Sequence, residues 1–157
     1  FMNYSLFNQI WKADELNMSQ KSKRLAKLGI DAINLLEKPI NKALEKSERF
    51  EGIESIYDIA KGAEKVVSIG NHTGEGWFLT GEMIELLNNG VKNIVCLQPF
   101  GCLPNHIVGK GMLKELRRQF KGANISPIDY DPGSSEVNQL NRIRLMMTTA
   151  KKMQKAN

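Results

Sequence analysis

The chain has 157 residues, of which 41% are apolar and 25% charged. These are ordinary values for a globular domain, and the length suits one domain, or one domain with a helical extension. No run of eighteen apolar residues occurs, so no membrane span is expected, and the polar residues Asn3, Asn8, Gln9, Lys12 and Asp14 interrupt any leader-like stretch.

The net charge is +5. The excess cations fall in helical regions (Lys21, Lys23, Arg24 and Lys27; Lys114, Arg117 and Arg118; Lys151, Lys152 and Lys155) and read as solvated helix faces. There is no focused basic patch interleaved with aromatics, so nucleic-acid binding is not expected. Two cysteines, Cys96 and Cys102, are too few for a disulfide framework and fit a reducing, cytoplasmic setting. The chain starts Phe1-Met2, which suggests a piece of a longer protein.

Residues 1–62 read as a helical segment that packs on the main domain or on a missing neighbour. Leu25, Leu28, Ile33, Leu35 and Leu36 form an apolar stripe at near-helical spacing. Lys38-Pro39 is expected to break or restart this helix, because a residue before proline avoids the α region. Ile53, Ile56, Tyr57 and Ile59-Ala60 mark a further short helix ending near Gly62.

Residues 63–157 read as an α/β domain of β-α-β-α-β-α order. Val66-Val67-Ser68-Ile69 is the first expected strand, Asn93–Leu97 the second and Asn124–Ile128 the third. Helices are expected over Trp77–Leu87, Ile107–Phe120 and Ser134 to about Lys152. This order predicts a three-layer α-β-α sandwich, Rossmann- or flavodoxin-like, around a parallel sheet. Functional loops in such a sheet lie beyond the carboxyl ends of the strands.

The first such loop is Gly70-Asn71-His72-Thr73-Gly74-Glu75-Gly76. Gly70, Gly74 and Gly76 would let backbone approach a phosphate of a nucleotide or CoA in front of a helix start. The spacing matches neither the dinucleotide fingerprint nor the P-loop, and a tight strand-to-helix turn explains it equally well. His72 and Glu75 are the acid–base candidates there. The second loop, Gln98-Pro99-Phe100-Gly101-Cys102-Leu103-Pro104, carries a thiol between apolar neighbours, a candidate soft-metal ligand. Cys96, inside the strand, reads first as a small buried hydrophobe. The spacing of the two is no zinc pattern, and His106 is the nearest further donor. The third loop, Asp129 to Ser135, reads as turn and capping chemistry around Asp131-Pro132-Gly133.

Three long stretches carry a family resemblance. They are Gly70-Asn71-His72-Thr73-Gly74-Glu75-Gly76-Trp77-Phe78-Leu79-Thr80-Gly81-Glu82-Met83, then Asn93 to His106 through Gln98-Pro99-Phe100-Gly101-Cys102-Leu103-Pro104, then Ile128 to Gly133 with Glu136 to Arg142. Together they resemble the C-terminal part of the long 2-hydroxyacyl-CoA dehydratase activase-related proteins of anaerobic bacteria, over roughly residues 60 to 150. The resemblance implies an iron–sulfur (4Fe-4S) protein of radical dehydratase or double-cubane reductase type, serving low-potential electron transfer. Cys102 is the residue carried over as a cluster ligand, with Cys96 behind it. The other ligands, the ATPase motifs and any acyl-CoA partner would belong to other domains of the parent chain, so the present chain is expected to be inactive and cluster-free by itself. A homodimer is a further expectation. The residues themselves leave two other readings open: a nucleotide- or CoA-phosphate-binding module, and a structural lobe whose helices dock a partner.

Overall fold

A computed structural model of the chain describes residues 1–47, 50, 52–130 and 133–156, the last by its backbone alone. The chain divides into two compact units, Phe1–Asp58 and Ile59–Asn157.

In the first unit, α1 (Met2–Glu15) and α2 (Gln20–Leu44) pack as a helical hairpin. Asn17, with φ of 51°, turns the chain between them, and the Ser19 hydroxyl caps α2 by accepting from the Ser22 N–H at 3.4 Å. Tyr4, Ile10 and Ala13 of α1 and Ala26 and Ile30 of α2 are buried in this unit. Gly29 lets the helices close up, since a Cβ there would lie 3.0 Å from a Leu6 methyl. The inward face of α2 therefore runs through Ala26, Ile30 and half-buried Ile33, and Leu25, Leu28, Leu35 and Leu36 stand exposed off it. Nor does α2 stop at Lys38-Pro39. It passes through Pro39, at the cost of one main-chain hydrogen bond to Leu35.

The second unit begins within α3 (Ile56–Ala63) and continues through α4 (Trp77–Asn88), β1 (Asn93–Pro99), a π-helical turn (Asn105–Gly109), a 3-10 turn (Lys110–Met112), α5 (Leu113–Gln119), β2 (Asn124–Tyr130) and α6 (Glu136–Ala156). β1 and β2 pair in parallel, with Asn93 opposite Asn124 and Pro99 opposite Tyr130. Met83, Ile84 and Leu87 of α4, Leu113 and Leu116 of α5, and Ile94, Cys96 and Ile125 of the sheet form one buried cluster. Ile128 lies on the opposite sheet face from Ile125, and α6 packs against β2.

The expected three-layer sandwich is not what forms. The chain is mostly helical, and among the described residues the sheet has two strands, not three. The difference lies at Val66–Ile69. Here the chain leaves α3 in successive turns: the N–H groups of Lys65, Val66 and Val67 donate back to Gly62 and Ala63, and Asn71 N–H donates to Ser68 O at 3.0 Å. Val67 and Ile69 are buried all the same. Burial, not strand pairing, explains this short apolar run, and a four-residue run cannot distinguish the two by periodicity. The helix expected over Ile107–Phe120 is likewise split, because Gly109 and Gly111 interrupt its first turns. Gly109 sits against β1: a Cβ there would lie 3.3 Å from Cys96 Sγ and 3.4 Å from Gln98 Nε2. The expected turn at Asp131-Pro132 lies outside the described residues.

Candidate functional site

The loops that follow Ile69 and β1 come together in space. A Cβ on Gly74 would lie 2.9 Å from Pro104 Cγ, and Gly74 has φ of 62°, so both space and backbone require glycine there. Deeper in, the Thr80 hydroxyl of α4 donates to the Val108 carbonyl of the π-helical turn, with Thr80 fully buried.

The glycine loop is closed on itself. Trp77 N–H donates to Asn71 O at 2.7 Å, Phe78 N–H to Glu75 O at 3.0 Å and Leu79 N–H to Gly76 O at 3.3 Å. A helix start binds phosphate through N–H groups that lack partners. Here the first three N–H groups of α4 are already engaged. Gly70 and Gly76 line a small cavity of about 160 Å³ with Leu103 and Pro104, and they shape a turn.

The two cysteines differ in kind. Cys96 is 8% exposed and belongs to the core cluster. Its sulfur accepts from Gln98 Nε2 at 3.0 Å. Burial pushes its thiol up, which opposes thiolate formation. Cys102 is half-buried, in the loop that joins β1 to the π-helical turn. Its N–H donates to Pro99 O and its carbonyl accepts from His106 N–H, both at 3.2 Å. These bonds hold the loop, and Asn105 Nδ2 donates to Cys102 Sγ at 3.0 Å.

His106 is exposed on the π-helical turn, and His72 is half-buried in the glycine loop. Glu75 and Asn105 line one groove between α4 and β1, together with Glu82. Desolvation in that groove is the main cause that raises the Glu82 carboxyl, and the Glu75 charge adds only a minor share. Cys102, His72 and His106 line neither this groove nor the small cavity beside the glycine loop. The structure thus joins the two loops and the pair Cys102–Asn105, and of His72, Glu75, Cys102 and His106 it places Glu75 alone on the α4–β1 groove. Sequence reasoning missed Asn105. Its signal was the three-residue spacing from Cys102, one helical turn away.

Among the described residues, no group of three or more His, Cys, Asp and Glu side chains is placed to hold a metal ion, and no described helix is long and apolar enough to cross a membrane. No family model, curated protein or solved structure matches the chain.

Proposed function

We propose that this chain supplies one thiolate, Cys102, to an iron–sulfur centre, as a ligand-bearing lobe of a low-potential electron-transfer protein of the dehydratase and activase kind that its sequence resembles. The observation that carries the reading is the setting of Cys102: a half-buried cysteine on a hydrogen-bonded loop past a strand end, with the Asn105 amide directed onto its sulfur. Hydrogen bonds to cluster sulfurs are among the means by which proteins set reduction potential. One thiol cannot close a cluster site, so in this reading the remaining thiolates come from outside these 157 residues. A bound cluster would supply one-electron transfer. Cys102 would anchor it, and Asn105 would hold the sulfur in place.

The phosphate-binding reading is weaker, because the α4 N–H groups it needs are bonded within the loop. Cys96 is not proposed as a ligand, since its sulfur is turned into the core.

The test uses the native polypeptide as its host makes it, isolated without oxygen. Cys102→Ser should lower its iron content and change its paramagnetic resonance spectrum, and Cys96→Ser should leave both unchanged while reducing stability. Unaltered iron and an unaltered spectrum in Cys102→Ser would defeat the proposal.

A further inference from the structure

The two edges of the sheet are finished differently. In the ladder, Asn124 N–H donates to Lys92 O and Phe100 N–H to Tyr130 O. With this parity, Ile125, Pro127 and Asp129 direct their main-chain groups to the outer edge of β2. All three of those carbonyls are taken. Ile125 O accepts from Arg117 Nη2, Pro127 O from Arg142 Nη1 at 3.1 Å, and Asp129 O from Gln139 Nε2 at 3.0 Å. Pro127 also has no N–H to offer. This edge is closed to a further strand.

The outer edge of β1 is closed at its end, where Pro99 has no N–H and its carbonyl accepts from Cys102 N–H, and is open at Val95 and Leu97. The same parity directs the N–H and C=O groups of Val95 and Leu97 away from β2, and no hydrogen bond among the described residues meets them. The two residues are 44% and 52% exposed, although the neighbouring Ile128 on the same face is 1% exposed beneath α6. Along this edge runs the groove of about 330 Å³ between α4 and β1, lined by Leu79 and Leu86 and by the carboxylates of Glu75 and Glu82.

We propose that the outer edge of β1 receives an extended segment of a partner protein as a third strand, with apolar residues at alternate positions and a lysine or arginine facing Glu75 and Glu82. Main-chain hydrogen bonds to Val95 and Leu97 give the affinity, and the groove selects the side chains. The carboxylates choose between occupants. β1 itself, Asn93-Ile94-Val95-Cys96-Leu97-Gln98-Pro99, carries no cation. A second copy joined through β1 would therefore bring two sets of like charges to one seam with nothing on the strand to meet them, whereas a basic strand is complementary.

The experiment titrates the whole isotopically labelled chain with the blocked peptide Ac-Thr-Val-Lys-Val-Leu-Val-Lys-NH2. The amide resonances of Val95 and Leu97 should shift, and their hydrogen exchange should slow by roughly tenfold or more at saturation. The same peptide with its three valines N-methylated tests the register that directs those amides at β1, and N-methylation of the other four residues tests the alternate register. One of the two should lose binding. The version with glutamate in place of lysine should bind roughly tenfold more weakly, and Glu75→Gln/Glu82→Gln should remove that difference. Unmoved Val95 and Leu97 amides at millimolar peptide would overturn the proposal, as would equal binding of the parent and both N-methylated peptides. Protection of the same amides by self-association without peptide would overturn it in favour of a second copy.

Discussion

Asn105 and Cys102 are joined side chain to side chain, amide nitrogen to sulfur, across 3.0 Å. Asn105 is buried and Cys102 half-buried, so the pair sets a fixed donor on the Cys102 sulfur. Cys96, six residues earlier, is enclosed, and burial raises its thiol. In the native chain at neutral pH, iodoacetamide should therefore modify Cys102 and spare Cys96 until denaturant is added. Peptide mass mapping reads the outcome directly, and equal labelling of both sites in the folded protein would contradict the assignment of the two environments.

Gly81 should not tolerate a methyl group. A Cβ there would lie 2.6 Å from Ile59 Cγ2 and 3.3 Å from Ile59 O, where α4 crosses α3. Gly81→Ala adds helix propensity, yet the overpacking dominates because a main-chain carbonyl cannot swing aside. A net loss of about 1–3 kcal/mol is expected, measured as a lower urea midpoint at unchanged slope.

Gln98 is 1% exposed, and its Oε1 has no hydrogen-bond partner. Gln98→Met keeps the volume and removes the unsatisfied acceptor, together with the bond to Cys96 Sγ. Losing the bond to Cys96 costs little because a thiol sulfur is a weak acceptor, whereas an unmatched amide acceptor costs about 1–3 kcal/mol. Stability should hold or rise by about 1 kcal/mol, readable as a higher thermal midpoint. A marked fall in midpoint would show that the oxygen is satisfied in solution.

On α5, the Arg118 guanidinium donates to both Glu115 carboxylate oxygens, at 2.8 and 2.6 Å, and Gln119 Nε2 donates at 2.8 Å. Hydrogen bonds from Arg118 and Gln119 hold the carboxyl down at about 2. A depressed carboxyl pKa favours the folded state above the unfolded value, and the contribution is lost as pH falls through about 2. The group is solvent-exposed, so the effect on stability should be small. Carbon-detected titration should place Glu115 below the other glutamates, and Arg118→Ala should return it toward them.

Sequence periodicity was enough to place α4, β1, β2 and α6 within a few residues, because each is long enough to show its period and is bounded by glycine or proline. Cys96 inside β1 and Cys102 beyond it were separable for the same reason. Val66–Ile69 was not, since four apolar residues can be buried from turns as well as from a strand, and the missing strand altered the fold class. The apolar stripe of α2 did not by itself mark the face that meets α1: leucine was abundant, but the helix contact selected Ala26, Ile30 and Gly29, where close approach matters more than side-chain size.

The sequence by itself determined local elements and the chemistry on offer: a parallel strand pair, two unlike cysteines and a glycine-bearing turn. Tertiary structure alone decided what each could meet. It enclosed the Cys96 sulfur and set Asn105 on that of Cys102, and it consumed the α4 N–H groups within their own loop. It also closed one sheet edge with Arg117 of α5 and with Gln139 and Arg142 of α6, and left Val95 and Leu97 open. The physical reason is range: propensity acts over a few neighbouring residues, whereas burial and hydrogen-bond satisfaction depend on groups brought together only when the chain has folded.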